Sequence, residues 1–232
     1  RIKRLRRESN IKQDLRSSQL SALKVQMNPH FIFNALNSIQ EFILLNEKRL
    51  ANSFLGKFAD LMRLTLDMSN EQQVSLSEEL KVLRLYLELE AIRFEETFHY
   101  TINVDQSIDP EELLIPSMLI QPYVENAVKH GLLHKKHNRG LWIRFFMSPD
   151  QEMLCCEVED NGIGRKKSWE LKTKRKTKHK SFAMSATQKR LELLNYGRKN
   201  FILISIDDLE NTAGESLGTK VHLKIPIESS YS

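Results

Sequence analysis

Along the first half of the chain, apolar positions recur every three to four residues; along the second half they alternate with polar ones. Ile11, Leu15, Ala22 and Val25 follow a roughly heptad spacing, a lead-in suited to helix pairing. They run into Gln26-Met27-Asn28-Pro29-His30-Phe31-Ile32-Phe33-Asn34-Ala35-Leu36-Asn37-Ser38-Ile39. At about 100° per residue, Ile32, Leu36, Ile39 and Ile43 gather on one side and predict the core stripe of a helix. Gln26, Asn34, Asn37 and Glu41 share the side of His30, so its imidazole is expected to face solvent or a partner. Pro29 removes one helical hydrogen bond and crowds the carbonyl of Val25, which re-aims this turn. A second helical pattern covers Ala51 to Met68. Ser75 and Glu78 form a capping box, and a third helix follows with Leu80, Leu83, Leu87, Ala91 and Phe94 on one stripe. Stripes this wide must be buried, and a helical bundle buries them; built from two chains, it makes the protein a homodimer.

The period then changes. Phe98, Tyr100, Ile102 and Val104 alternate as in a half-buried strand. Asp105–Glu112 is a turn-rich link, and Pro116 is expected to open a helix reaching Lys129. Further strands are expected at Leu141–Met147, Leu154–Glu159, Phe201–Ile206 and Lys220–Ile225, with a helix at Ala186–Tyr196. The result is an α+β fold in which a mixed sheet carries helices on one face. The boundary between the two parts is expected near Phe94–His99, giving regions 1–95 and 96–232.

The 232 residues suffice for one large or two small cores, and 41% hydrophobic with 28% charged residues excludes a disordered chain. No apolar run approaches the ~18 residues of a membrane span. The chain starts at Arg1, and Arg1-Ile2-Lys3-Arg4-Leu5-Arg6-Arg7 is densely basic. Lysine and arginine collect on the cytoplasmic side of membrane helices, so an anchoring segment upstream is expected; a solvated basic face is the alternative. A net charge of +5 is too mild to demand nucleic acid. Cys155 and Cys156 are adjacent, suit neither a disulfide nor a metal pair, and fit a reducing compartment.

Three elements in the second half carry candidate chemistry. On a helix, Asn126 and Lys129 share a face, with Gln121 or Pro122 one turn earlier. An amide oxygen suits Mg²⁺ and a lysine suits phosphate, although a plain polar face explains the pattern equally. Asp160-Asn161-Gly162-Ile163-Gly164 follows a predicted strand. The aspartate can accept from an exocyclic amine and the glycines permit close approach, while a hairpin turn is the ordinary alternative. Gly214-Glu215-Ser216-Leu217-Gly218-Thr219 leads into the last strand and is, alone, a turn.

In this order and spacing the three elements, together with the His30 run, resemble the sensor histidine kinases of the LytS/YehU type. These are two-component kinases with an ATP-binding domain of the GHKL superfamily. The resemblance spans about Leu20 to Ile227 and is most specific over 27–38, 121–131 and 160–164. It implies a helical dimerisation and phosphoacceptor region followed by an α/β sandwich that binds ATP. His30 would accept phosphate; independently of the resemblance, the place of Asn34 on the same helix face leads to the expectation that it orients water when phosphate is removed from the partner. The decay of a phosphorylated receiver would test that second role. Asn126 would hold Mg²⁺, and Lys129 and His130 would contact phosphates. Asp160 would read adenine within a loop shaped by Gly162 and Gly164, Gly218 and Thr219 would close the far side, and Arg190 would join the nucleotide contacts. Tyr86–Phe94 matches the family's joining segment, with Arg93 its functional residue. The implied partners are a second copy of the chain and a receiver domain, itself coupled to a DNA-binding output. The implied location is the cytoplasmic part of a membrane-anchored sensor.

Two departures stand out. Many histidine kinases follow the histidine with an acid; here the residue is Phe31. The lid between Arg165 and Gln188 lacks the glycine-rich stretch of relatives: Ala183 and Ala186 stand where glycine and asparagine would, after the lysine-rich run from Lys172. A zinc site from His130, His134 and His137 straddles a helix end and is disfavoured. A nucleotide-binding dimeric scaffold without phosphoryl transfer is the main rival reading.

Overall fold

The computed structural model describes residues 29–94, 97–174, 182–196 and 200–227, with residues 29, 30, 172–174 and 182–187 described by backbone alone. The heptad lead-in and the centre of the lysine-rich lid lie outside the described residues. Helix α1 (Pro29–Leu44) turns at Asn46, whose φ of 60° suits asparagine, into α2 (Lys48–Ser69). The two pack antiparallel, with the Phe42 ring edge-on to Phe54 at 5.8 Å.

The buried side of α1 differs from the expected stripe. Ala35 and Ser38 are buried, and Phe31, Ile39 and Phe42 pack on the core. Leu36 and Ile43, expected inside, are 50% and 61% exposed, and Phe33 is 64% exposed. Its apolar positions spread over more than half of the helix circumference, so one chain covers only part of them.

After α2, β1 (Gln73–Ser75) leads directly into α3 (Leu76–Phe94). The capping box forms as expected: the Ser75 backbone N–H donates to Glu78 Oε2 at 2.9 Å, and the Glu78 N–H donates to Ser75 Oγ at 3.2 Å. Helix α3 buries Leu80, Leu83, Leu87 and Phe94, but also Val82, Tyr86 and Leu89. It is covered on two sides, by α2 and by the second half of the chain. One apolar cluster therefore runs through both halves.

Strand β2 (Phe98–Val104) begins the main sheet, while β3 (Leu114–Pro116) pairs antiparallel with β1. The expected helix opens at Gln121, not at Pro116: α4 (Gln121–Asn126) continues as a π-helical turn over Ala127–Leu132. The delay has a cause forty residues upstream. The carboxylate of Glu79, fully buried, accepts backbone N–H bonds from Met118 (3.0 Å), Ile120 (3.1 Å) and Gln121 (3.2 Å). Met118 takes a φ of 55° to present its N–H. These donors would otherwise be orphaned at the start of the helix.

The rest follows the alternation: β4 (Arg139–Met147), β5 (Met153–Asp160), α5 (Gly164–Lys174), α6 (Phe182–Asn195), β6 (Leu203–Glu210) and β7 (Ser216–Pro226). The five-stranded sheet runs β2-β4-β5-β7-β6, parallel only between β2 and β4. Leu141, Ile143 and Phe145, then Leu154, Cys156 and Val158, and Val221, Leu223 and Ile225 form its inner face under the helices. The outer face carries ion pairs joining Arg144 to Glu157 and Lys220 to both Glu157 and Glu159.

Replacing Glu79 with alanine strands three buried N–H groups and the nearby Arg190 charge. Breaking such a buried arrangement costs about 3–5 kcal/mol, and a thermal melt by circular dichroism should fall by roughly 6–20 °C. A melt unchanged within about 2 °C would refute this account of the loop.

Candidate active site

Asp160 ends the inner-face run Leu154, Cys156, Val158, so the alternation itself carries a carboxylate into the interior. It is 4% exposed, and its Oδ1 accepts the Gly162 N–H at 2.8 Å. Burial pushes its pKa up to about 6, against the pull of the Gly162 and Thr219 N–H groups and of Lys135. Lys135 itself donates to the Asn161 carbonyl at 2.7 Å. Asn161 does not turn a hairpin. Its side-chain oxygen accepts the Gly140 N–H at 2.8 Å and its amide donates to the Asn138 carbonyl at 2.9 Å, which ties the loop to the start of β4.

Glycines let the backbone close in tightly around the Asp160 carboxyl. A Cβ on Gly162 would stand 2.4 Å from the Gly131 backbone, and one on Gly131 would stand 2.5 Å from Asp160 Oδ1. Gly218 has φ 142°, and a Cβ there would fall 1.8 Å from the Asp160 carbonyl oxygen. Thr219 pairs across the sheet with Asp160 and is buried beside it. Gly164 (φ 74°) starts α5 against Ser216. The structure thus gathers Gly131, Asp160, Gly162, Gly164, Gly218 and Thr219 into one closely packed corner around a buried acceptor. That donor and acceptor set fits an adenine-like amine.

Asn126 is half-buried at the junction of α4 and the π-helical turn. The turn changes the expected geometry: the Leu133 N–H reaches back five residues to the Val128 carbonyl at 2.8 Å. Widening of this kind recurs at functional sites. Lys129, within this turn, lines an open cleft. His130 is half-buried and interacts within the fold. The cleft is lined by Phe31 and Asn34 of α1, Tyr86, Glu90 and Arg93 of α3, and Glu125 and Lys129 beyond them. The Phe31 ring meets Tyr86 at 5.5 Å and Phe58 at 6.1 Å, which seats the first turn of α1 on α3. His30 lies in that first turn, one helical turn before Asn34.

Arg190 is 4% exposed, and its guanidinium donates to the carbonyls of Met118 (3.0 Å) and Ser117. It clamps the loop that Glu79 holds from the other side.

Arg93 pairs with Glu90 at 2.7 Å inside the cleft. Arg139 stacks over Phe94 at 4.5 Å and donates to Thr97 and to the Leu132 carbonyl at 3.1 Å, so it fastens the joining segment to the end of the π-helical turn. Sequence reading passed over Glu79, Glu90, Glu125, Lys135 and Arg139. For Glu79 and Glu90 a signal existed: each is an acid on a helix that is apolar on several sides.

A family profile described as histidine kinase matches residues 18–98. Sensor histidine kinase YesM of Bacillus subtilis is 32% identical over 159 residues, covering 68% of this chain and 27% of YesM. Sensor protein LytS of Enterococcus faecalis is 30% identical over 218 residues, covering 92% of this chain and 35% of LytS. Among solved structures, histidine kinase ThkA in complex with response regulator protein TrrA superimposes with a TM-score of 0.44 at 17% identity, covering 94% of this chain and 65% of that one. The chain belongs to the histidine kinase family. Within it, the chain is homologous to the LytS and YesM sensor kinases. It spans about a third or less of the length of those two relatives. Among the described residues, no helix is long and apolar enough to cross a membrane.

Proposed function

We propose that this chain is the kinase core of a two-component sensor, which phosphorylates itself on His30 from Mg-ATP and passes the phosphate to an aspartate of a response-regulator receiver. The observation that carries this reading is the cleft in which the His30-bearing helix, through Phe31 and Asn34, meets Glu125 and Lys129 of the nucleotide side. Region 1–95 presents the histidine and region 96–232 holds nucleotide, with α3 as the joint packed against both. Asp160 accepts from the adenine amine, the Gly162–Gly164 loop turns around it, and Gly218 and Thr219 close the far side. Lys129 and His130 lie toward the phosphates, and Arg190 serves by holding loop 117–120. Asn126 is the residue for Mg²⁺, which supplies charge neutralisation for the phosphates. Asn34 orients water in the reverse, dephosphorylating direction. A membrane anchor belongs to an upstream segment.

Catalysis in phosphoryl transfer is mostly positioning and charge. A neutral imidazole, with a reference pKa near 6.5, is nucleophilic at neutral pH. Incubation with γ-labelled ATP and Mg²⁺ tests the reading: acid-labile, alkali-stable label on the protein is expected. Nucleotide binding without label would favour a signalling scaffold.

The functional unit is a homodimer. Phe33, Leu36, Ile43, Leu44, Leu55 and Leu66 stand exposed on the α1–α2 hairpin, an apolar surface that a second hairpin would bury as a four-helix bundle. Leu36→Lys with Ile43→Lys is expected to halve the mass measured by light scattering. An unchanged dimeric mass would place the interface elsewhere.

A further inference from the structure

We propose that Arg93 contacts the terminal phosphate of the nucleotide and is a catalytic residue of the transfer, with Glu90 holding its guanidinium ready. The inference rests on the kinase reading above and adds to it a cation from the helical side of the cleft. Arg93 of α3 and Lys129 of the π-helical turn line the same open cleft. Arg93 Nη1 donates to Glu90 Oε1 at 2.7 Å. The contact is single: Glu90 is 3% exposed, and its Oε2 has no partner among the described residues. An arginine and a carboxylate often close a two-point fork, as Arg165 does on Asp208 with two bonds of 2.8 Å. A guanidinium carries five N–H donors, and among the described residues Arg93 makes this one hydrogen bond.

Positive charge is in surplus here. Arg93 and Arg139 lie over the same Phe94 ring, at 5.3 Å and 4.5 Å. Arg139 donates to Thr97 and to the Leu132 carbonyl, both neutral. The Glu125 carboxyl, also on the cleft, is held along α4 by the Gln121 amide at 2.8 Å. Helix α1, which carries His30, contains no lysine or arginine. Charge on a phosphoryl group reaching α1 must therefore be met from the other walls of the cleft. The π-helical turn joins those walls to the nucleotide corner: it carries Lys129, and a Cβ on its Gly131 would stand 2.5 Å from Asp160 Oδ1. A nucleotide with its adenine at Asp160 can run its phosphates along this turn into the cleft. There Lys129 meets it from one wall and Arg93 from another, beside Asn34 of α1.

In the transfer, a nitrogen lone pair of the His30 imidazole attacks the γ-phosphorus and the N–P bond forms. The P–O bond to the nucleoside diphosphate breaks with its electron pair on the leaving oxygen, and the imidazolium proton passes to water. Arg93 gives neither proton nor electrons. It donates N–H bonds to the oxygens over which the charge of the transferring group is spread, and it stays charged at every working pH.

The test compares the 232-residue chain with Arg93→Gln and with the double variant Arg93→Gln, Glu90→Gln. ATP affinity, ADP affinity and the initial labelling rate at saturating γ-labelled ATP and Mg²⁺ are measured for each. Arg93→Gln alone leaves a buried Glu90 charge unpaired and loses stability. The double variant removes both charges and leaves two amides that can pair, so it keeps the parent's melt. Both variants should bind ADP as the parent does, lose about tenfold of the preference for ATP over ADP, and label at least about 100-fold more slowly. An arginine that only balances Glu90 would let the double variant label at the parent rate. That result, or ATP and ADP affinities that fall together, overturns the proposal. A parent that binds nucleotide but takes no label overturns the kinase reading itself, while the ATP-to-ADP preference of parent and double variant still reads the phosphate contact.

Discussion

A His30→Gln chain given γ-labelled ATP and Mg²⁺ is expected to take up no label while binding nucleotide with the affinity of the parent. His30 lies in the backbone-defined first turn of α1, and glutamine is a good helix former, so the substitution leaves the helix standing. What it removes is the one group there with a nucleophilic lone pair at neutral pH. An amide nitrogen has no comparable pair to offer. The nucleotide corner is built from β5, the loop to α5 and β7, none of which includes α1. Binding and labelling should therefore separate cleanly. Label persisting in the variant would move the acceptor to another residue, with His99 and His130 the next imidazoles by sequence after His30. Loss of both label and binding would mean that α1 supports the nucleotide corner through the Phe31–Tyr86 contact.

The local rules carried much of this fold. Alternation located the four strands expected after residue 140 to within a few residues, and the Ser75–Glu78 pair fixed the start of α3. The rules fail where distant residues decide. Pro116 reads as a helix start, yet Glu79 claims the backbone donors of 118, 120 and 121 and holds that stretch open until Gln121. Helix α5 has no apolar stripe to announce it; it begins because Gly164 takes a positive φ after the Asp160 loop. On α1, sequence shows two apolar sides and cannot rank them, so Leu36 and Ile43 were expected inside while Ala35, Ser38 and Phe42 do the packing. The chemistry was legible in the same uneven way. Asp160, Gly162, Gly218 and Thr219 meet as the motifs imply. A π-helical turn, invisible in residue spacing, carries Lys129 and His130. Glu125 went unnoticed because its neighbours Glu90 and Arg93 come from α3, more than thirty residues earlier.

The joint between the two regions gives that cleft its meaning. Arg93 and Arg139 lie on either side of the chain's crossing from α3 to β2, both against Phe94. Arg93 faces the cleft through Glu90, and Arg139 grips the π-helical turn through Leu132. A shift of α3 would therefore be felt both beside Asn34 of α1 and beside Lys129. Helix α3 is also the element that α2 packs against, so movement of the hairpin has a continuous path of packed side chains into the nucleotide side.

Asp160→Asn is expected to weaken ATP binding by at least about 30-fold without unfolding the chain. A hydrogen bond to a buried charged group contributes about 1.5–3 kcal/mol, and every 1.4 kcal/mol is about tenfold in affinity. Asparagine does worse than simply losing the charge. Its oxygen must stay on the Gly162 N–H, now 2.8 Å from Oδ1, which turns its NH₂ toward the incoming amine and sets donor against donor. The glycines at 131 and 162 leave no room for the side chain to turn aside. The apo fold should hold or gain stability, because the change removes a charge that burial already disfavours. The pH dependence separates this mechanism from general damage. In the parent, affinity should fall as pH drops through about 6, where Asp160 takes up its proton. The variant has no such proton to take up, so its weak affinity should lack that step. Calorimetric titration at several pH values reads both quantities. Parent-like affinity in Asp160→Asn would remove Asp160 from the adenine contact. A weak affinity that still steps near pH 6 would show that another group sets the titration.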